Sequence, residues 1–559
     1  MNASLLAILI LLPLASAGLV AIRPSEQAKG IALFGTILAL IGACVALVQF
    51  DWSQADVYQG AGRMDWIPDI GLSLSVGVDS VALMLIALTA LLGPICVAAS
   101  FTAITHRVKT YYAWLLVLQA AMTGVFCARD LVVFYTCFEF TLVPMYILIS
   151  LYGSTNRKKA ATKFFLYTFT GSVLTLAGLI YLVWFNATQL PVGEFQGSGR
   201  WTFDMAALQD AGVRMSLSQQ SWVLGAMMAG FAVKIPLFPV HTWLPLAHTE
   251  APTAGSVILA GVLLKLGTYG MFRFVLPYAP AALVQYTPLL AVLCIMGIVY
   301  AGLICWVQED IKKLVAYSSV SHLGFCILGL IAVNGMGVSG SVLYMINHGL
   351  STGALFLLIG MMYERYHTRS MREIGGLAAK MPVWATFMVF FAMASVGLPG
   401  LNGFISEFMC LMGAFQASDA LVAAGHPGAT PGRLGPWYAA IAGTGMIIAA
   451  MYILLMVGKS CFGPLKEPHH HDHDAAPSPL PTDLSAREIG VLAPLAVLCL
   501  VLGLYPKPAL AALEAPVNRT VEWVREHAPK ARGVISVQPV ASSKANEASD
   551  NTADAGEGH

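Results

Sequence analysis

The stretch GFAVKIPLFPVHTWLPLAHTEAPTAGSVILAGVLLKLGTYGMFRF, residues 230–274, places two lysines, Lys234 and Lys265, within sequence hydrophobic enough for the interior of a membrane. A charged side chain near the middle of a bilayer costs about 2.5 to 3.5 kcal/mol on helix-insertion scales. Ionisable residues are therefore rare in membrane spans, and those that occur mark ion or proton pathways. The two lysines predict a membrane protein that moves ions.

The composition of the whole chain also indicates a membrane protein. Of its 559 residues, 57% are hydrophobic and 11% are charged, with a mean hydropathy of +0.72. Soluble proteins carry about a quarter charged residues. Apolar segments recur along nearly the whole chain, and we predict an all-α polytopic membrane protein with about fourteen transmembrane helices of roughly twenty residues each. The formal net charge of +1 gives no indication of nucleic-acid binding.

The basic residues divide unevenly between alternate loops when the N-terminus is placed outside. One set of loops contains most of them, in the segments 157–163, 312–313 and 365–380 among others. Because short cytoplasmic loops are enriched in lysine and arginine, we expect this set to face the cytoplasm or its organellar equivalent. Both termini would then face the opposite compartment.

Two of the predicted spans contain prolines near their middle. These are Pro236 in VKIPLFP, residues 233–239, and Pro399 in VGLPGLN, residues 396–402. Proline removes a helix hydrogen bond and clashes with the preceding turn. Spans broken at corresponding places are typical of transporters in which discontinuous helices line the ion path.

A buried acid, Glu139 in DLVVFYTCFEFTLVPMYILIS, is the expected partner of Lys234. A neighbouring anion stabilises the ammonium, whereas burial favours the neutral amine. A change in their separation would therefore switch the lysine between its protonation states. The alternative is a static salt bridge that locks two helices.

The remaining candidates for a relay are Lys265, His322, His348 and Glu407. Lys265 lies mid-span, so snorkelling to an interface is the weaker interpretation. Histidine shuttles protons near neutral pH, although either histidine could instead be a packing residue. Glu407 follows the break at Pro399. It could be a titrating site or a static partner of a basic residue.

Other histidines are less informative. His241 and His248 follow the first break and could line a channel mouth or cap a loop; we favour the loop position for His248 and leave His241 open. The tract 469–473 contains four histidines in a proline-rich stretch without a second ligand cluster, so we expect adventitious or no metal binding. The ten cysteines are scattered without a CxxC pair, which argues against iron–sulfur ligation.

Several motifs together resemble the antiporter-like membrane subunits of respiratory complex I and of multisubunit cation/proton antiporters. Besides the opening stretch they are FEFTLVPMYILI (138–149), QEDIKKLVAYSSVSHLGF (308–325), MINHGLSTGALFLL (345–358) and GLPGLNGFISEF (397–408). Within the family the resemblance is greatest to the subunit M type of NADH:quinone oxidoreductase. Glu407 stands where the sister subunits usually have a lysine.

The resemblance implies two inverted five-helix repeats, each with a discontinuous helix, and a proton path between them. It implies Glu139 and Lys234 as a coupling pair, Lys265, His322 and His348 as the central relay, and Glu407 as the exit site. It also implies no cofactor in this chain and partners that include two sister antiporter-like subunits. The length and the tail of the chain favour a bacterial inner membrane over an organellar one. The expected divisions are a three-helix segment 1–110, repeats 111–280 and 281–460, a His-rich loop 461–486, a last span with a surface helix 487–532, and a disordered tail 533–559.

Two other functions share parts of this pattern. A subunit of a sodium or potassium/proton antiporter would have the same fold, although Glu407 argues against it. A structural scaffold would have the same charges in fixed pairs. A chain that itself oxidises NADH or reduces quinone is the least supported, because no cofactor motif is present.

Overall fold

The computed structural model describes residues 1–468 and 481–528, and most of them are helical. The His-rich tract and the tail expected to be disordered lie outside these residues. In chain order the helices are α1 (Ala3–Ile22), α2 (Ala28–Gln49), α3 (Ser80–Ala99), α4 (Val108–Cys127), α5 (Leu131–Phe140), α6 (Leu142–Tyr152), α7 (Arg157–Gln189), α8 (Met205–Gly212), α9 (Leu217–Lys234), α10 (Leu244–Glu250), α11 (Thr253–Tyr278), α12 (Pro280–Trp306), α13 (Ile311–Ile331), α14 (Gly335–Tyr366), α15 (Pro382–Val396), α16 (Asn402–Gln416), α17 (Asp419–Ala423), α18 (Pro436–Cys461), α19 (Ala486–Leu504) and α20 (Lys507–His527).

Within the described residues, twelve helical segments are long and apolar enough to cross a membrane. The all-α membrane fold predicted from the sequence is therefore confirmed. Two further expected spans are each divided in two. One consists of α9 and α10, separated after Lys234, and the other of α15 and α16, separated after Val396. These are the places where Pro236 and Pro399 interrupt the helical hydrogen bonding. The count of fourteen and the inverted repeats remain predictions.

The centre of the bundle is formed by α11 and α14. In α11 and α14 every residue of the most apolar 18-residue stretch is buried, whereas in α1 and α2 only a third of the corresponding residues are buried. A helix surrounded by other helices can carry polar side chains without exposing them to lipid. The central position of α11 and α14 therefore makes room for their ionisable residues.

Two glycines allow α11 and α14 to touch through their backbones. A Cβ atom added to Gly349 would lie 2.9 Å from the carbonyl oxygen of Gly261. Small residues are common where membrane helices pack closely. This contact brings the next turn of α11, which carries Lys265, against α14.

One membrane-flanking element is a β-hairpin in which β1 (Gln59–Ile67) pairs antiparallel with β2 (Leu72–Val78). It lies between α2 and α3. A second is α20, which buries the face formed by Leu513, Val517, Val521 and Val524. Ser80 Oγ, at the start of α3, donates a hydrogen bond of 2.6 Å to Ala512 O of α20. This helix lies within 487–532, the segment in which the sequence predicts a last span followed by a surface helix.

The last span is fixed to α14 by a buried ion pair. Arg365 donates to both carboxylate oxygens of Glu488, at 2.8 and 2.9 Å. Glu488 also accepts hydrogen bonds from Ser485, the N-cap of α19. One carboxylate therefore both caps α19 and holds it against α14.

Candidate functional site

Lys234 is the last residue of α9, at the edge of the first break. Its Nζ donates to Phe138 O at 3.3 Å and approaches Thr141 Oγ1 at 3.5 Å. The ammonium also lies 3.8 Å from the centroid of the Phe138 ring. A carbonyl and an aromatic face are weaker partners for a buried ammonium than a carboxylate.

Glu139 is next to these contacts but does not form an ion pair with Lys234 among the described residues. Its Oε1 atom is buried and has no hydrogen-bond partner there. The static salt bridge considered from the sequence is therefore not seen in this conformation. Lys234 instead contacts Phe138 and Thr141, the neighbours of Glu139 at the junction of α5 and α6.

Lys265 is completely buried in α11, between two π-helical turns, Leu259–Leu263 and Met271–Val275. Such turns widen a helix locally and are frequent at functional sites. The lysine Nζ donates to the carbonyl of Ala260 in the first of these turns and lies 2.7 Å from His348 Nδ1. Snorkelling to the membrane surface is excluded in this conformation, because the ammonium is held inside the bundle.

The two histidines of the second half are neighbours. The ring centroids of His322 in α13 and His348 in α14 are 5.8 Å apart. His322 Nδ1 lies 3.1 Å from Glu407 Oε1 of α16, and both side chains are almost fully buried. Lys265, His348, His322 and Glu407 thus lie in a row of neighbouring ionisable side chains, which we call the central file.

Glu407 also borders the second break. A Cβ atom on Gly397, which follows α15, would lie 2.8 Å from Glu407 Oε2. Gly397 has φ of +82°, a backbone conformation that glycine adopts without strain. One carboxylate oxygen therefore faces the central file and the other faces the unwound segment.

Two asparagines fix the start of α16 against α14. Asn347 Nδ2 donates to Asn402 O at 2.7 Å, and Asn402 Nδ2 donates to Asn347 O at 3.2 Å. The Oδ1 atoms of both residues are buried without partners among the residues described. Buried polar atoms of this kind are usual binding points for ordered water.

Tyr344 is a member of the site that sequence reasoning missed. It lies one turn before His348 on α14, and its hydroxyl is 2.8 Å from His322 Nδ1 and hydrogen-bonded to Glu407 Oε1. The available signal was the one-turn spacing from His348, which places both side chains on the same helix face. Because tyrosines are common in membrane spans, this spacing alone would not have singled it out.

His248 does not occupy the loop position favoured from the sequence. It lies in α10 and is completely buried, with its ring stacked on Phe356 of α14 at 4.6 Å. Neither ring nitrogen has a hydrogen-bond partner among the described side chains and backbone groups. His241, left open from the sequence, is also buried and packs against the rings of Phe238 and Tyr300.

The coupling pair approaches the helix that carries Lys265 where α11 packs on the first break. A Cβ atom on Gly267 would lie 3.2 Å from Lys234 Cβ. In the described part of the chain, however, no direct hydrogen bond joins Lys234 to Lys265. The coupling pair and the central file are adjacent but separate groups in this conformation.

Arg273 lies near the C-terminal end of α11 and forms an ion pair with Asp79, the N-cap of α3. Its guanidinium also lies 5.1 Å from the Tyr269 ring centroid. This arrangement makes Arg273 a structural partner that holds α11 to the start of α3.

Comparison with known proteins gives consistent results. The family described as NADH:quinone oxidoreductase/Mrp antiporter, TM, matches residues 128–426. The chain is 39% identical to NADH-quinone oxidoreductase subunit M of Rhodobacter capsulatus over 90% of this chain and 93% of that protein. It is 34% identical to NADH-ubiquinone oxidoreductase chain 4 of Marchantia polymorpha over 92% and 96%.

Two solved structures have the same fold. A chain of respiratory complex I from Thermus thermophilus superposes with a TM-score of 0.77 at 26% identity, covering 93% of this chain and 99% of that one. A chain of the Mrp complex from Dietzia gives a TM-score of 0.75 at 20% identity, covering 94% and 99%, which shows the fold alone. The chain therefore belongs to the NADH:quinone oxidoreductase/Mrp antiporter family, in the group of complex I membrane-arm subunits called subunit M or chain 4.

Proposed function

We propose that this chain translocates protons across the bacterial inner membrane through the central file, driven by redox chemistry in other subunits of complex I. The observation that carries the proposal is the contact of Lys265 with His348 and of His322 with Glu407, deep inside the bundle. Burying four ionisable groups in a membrane protein costs free energy, so their presence there indicates a function. The redox steps require centres in other subunits, so this chain acts as a translocase without bond chemistry of its own.

Proton transfer along the central file follows from the donors and acceptors. The Lys265 ammonium donates to His348 Nδ1, which places the imidazole proton of His348 on Nε2. The step from His348 to His322 needs a ring rotation or one bridging water, because the ring centroids are 5.8 Å apart. Glu407 then receives the proton from His322 and releases it through the second break, which its Oε2 atom adjoins.

The coupling pair provides the input to this relay. Lys234 contacts Phe138 and Thr141, which lie on either side of Glu139, so a movement of the α5–α6 junction would change the distance between the Glu139 carboxylate and the Lys234 ammonium. With the carboxylate close, the lysine keeps its proton; with the carboxylate withdrawn, burial favours its release toward Lys265. Redox events elsewhere in the complex would act on this pair.

We further propose the two antiporter-like repeats at 111–280 and 281–460, related by inversion, with one break in each. The placement of Lys234 at the first break and of Glu407 beside the second supports this division. Two sister antiporter-like subunits are the proposed neighbours in the membrane.

The test is Glu407→Gln, which keeps the shape of the side chain and removes its titration. In inverted membrane vesicles we expect a lower ratio of protons pumped to NADH oxidised, with the complex fully assembled. Lys234→Ala should have the same effect by removing the input. Glu309→Gln, an exposed carboxylate, is the matched control and should pump normally.

The alternatives give different results. Full pumping by assembled Glu407→Gln and Lys234→Ala complexes would refute the relay and favour a structural scaffold. Transport that requires sodium or potassium in the medium would favour an antiporter subunit.

A further inference from the structure

Tyr344 forms a triangle of polar atoms with His322 and Glu407. Its hydroxyl is 2.8 Å from His322 Nδ1 and hydrogen-bonded to Glu407 Oε1, and the Nδ1 to Oε1 distance is 3.1 Å. A carboxylate oxygen only accepts hydrogen bonds, whereas a phenol has one hydrogen to donate and can also accept. The tyrosine hydroxyl can therefore donate to Glu407 while it accepts from a protonated His322.

We propose that the Tyr344 hydroxyl is a hydrogen-bond switch that carries protons from His322 to Glu407 and must reset after each one. The inference rests on the proposed function. The first step of the hydroxyl route is shorter than the direct transfer, because His322 Nδ1 is nearer to the hydroxyl than to the carboxylate.

The transfer leaves the charge of the tyrosine unchanged. The Nδ1–H bond of the His322 imidazolium breaks as an O–H bond forms on Tyr344, and the original Tyr344 O–H bond breaks as one forms on Glu407 Oε1. The products are a neutral imidazole, a neutral tyrosine and a protonated carboxyl group. No other reactant is required.

The transfer also reverses the hydroxyl. Before the transfer the hydroxyl donates its hydrogen bond to Glu407. After the transfer its new hydrogen points at His322 Nδ1, whose lone pair accepts the hydrogen bond. A second proton cannot pass until the hydroxyl rotates back, and rotation is favoured only once Glu407 has lost its proton and is again a charged acceptor. Tyr344 would thereby make each release from Glu407 a condition for the next transfer.

The first experiment compares Tyr344→Phe with Tyr363→Phe in the assembled complex. Tyr363 lies on the same helix, but its side chain is 37% exposed, so its hydroxyl should be dispensable. For Tyr344→Phe we expect NADH oxidation to continue with a lower proton-to-electron ratio. Protons could still pass directly from His322 to Glu407, but no hydroxyl would make each transfer wait for release from Glu407. In infrared difference spectra, the C=O stretch of protonated Glu407, assigned by its loss in Glu407→Gln, should move to higher wavenumber.

An unchanged pumping ratio, an unshifted carboxyl band or an equal loss in Tyr363→Phe would each overturn the switch. If Tyr344→Phe does not assemble, 3,5-difluorotyrosine at position 344 keeps the ring and the hydroxyl and makes the hydroxyl oxygen a weaker acceptor for the O–H group of protonated Glu407. The carboxyl band should then shift to higher wavenumber, as expected for Tyr344→Phe, and an unshifted band again overturns the proposal. Normal pumping by Glu407→Gln would instead refute the proposed function itself, which separates the two failures.

Discussion

The contact between Gly349 and Gly261 sets the distance between Lys265 and His348. In Gly349→Ala the new Cβ would lie 2.9 Å from Gly261 O and from Leu88 Cδ2. The leucine methyl can move, but the backbone carbonyl cannot do so without shifting α11. Ordinary contact begins at 3.4 Å, so the helices must separate by about 0.5 Å.

The free-energy cost of Gly349→Ala follows from two opposing effects. Replacing glycine by alanine inside a helix stabilises it by about 0.5 to 1 kcal/mol. Overpacking a close-packed interior costs about 1 to 3 kcal/mol. We expect a net loss of about 0 to 2.5 kcal/mol, which leaves the complex assembled.

The functional effect of Gly349→Ala should exceed its effect on stability. Starting from 2.7 Å, the distance between Lys265 Nζ and His348 Nδ1 would approach about 3.2 Å, the long limit for such a hydrogen bond. Because displacements of about 1 Å at a reacting site can cost a hundredfold in rate, we expect roughly a tenfold slower transfer. The measurement is proton pumping per NADH oxidised in inverted vesicles, with the thermal midpoint of the purified complex.

The matched control is Gly353→Ala, one turn further along α14. Its Cβ would meet only Val257 Cγ1, at an ordinary 3.6 Å. We expect wild-type pumping and equal or slightly higher stability. Normal pumping by Gly349→Ala, with an unchanged helix spacing in its structure, would refute the dependence of the relay on this contact.

Two further substitutions test the supports of the site. Glu488→Ala leaves Arg365 buried without its carboxylate partner and should destabilise the chain by about 3 to 5 kcal/mol, which would lower the thermal midpoint. The control is Glu309→Ala, which breaks an exposed ion pair and should cost less than about 1 kcal/mol. Equal midpoints for the two would contradict a structural role for the buried pair. Gly397→Ala places a side chain at a backbone conformation in the left-handed region, which costs about 1 to 2 kcal/mol, and its Cβ atom would press against Glu407 Oε2. We therefore expect proton pumping to fall more than the amount of assembled complex. Normal pumping would show that the break tolerates a side chain there.

The membrane fold was predictable because hydrophobic segments of spanning length admit few other structures. The positions of the breaks were predictable for a local reason, since Pro236 and Pro399 each remove a helix hydrogen bond. Lys265 and Glu407 were recognisable as site candidates because an ionisable residue within an apolar span must find an internal partner.

Other features depend on contacts between distant parts of the chain. The burial of His248 requires Phe356 of α14 to cover it, and its local sequence, with its prolines and threonine, resembles a loop. The separation of Glu139 from Lys234 depends on side-chain positions at the α5–α6 junction. Opposite charges in a sequence identify a possible pair, but they do not give its distance in one conformation.

The two breaks differ in how well their charged groups are satisfied, and this difference indicates where energy enters the proposed relay. At the first break, the Lys234 ammonium has a carbonyl, a distant hydroxyl and an aromatic face, while Glu139 Oε1 has no partner among the described residues. At the second break, Glu407 Oε1 is held by both His322 and Tyr344. A poorly satisfied pair gains much from a small displacement, whereas a carboxylate oxygen that already has two hydrogen-bond partners gains little. Mechanical input should therefore act at Glu139 and Lys234, and Glu407 should hold the proton until its release.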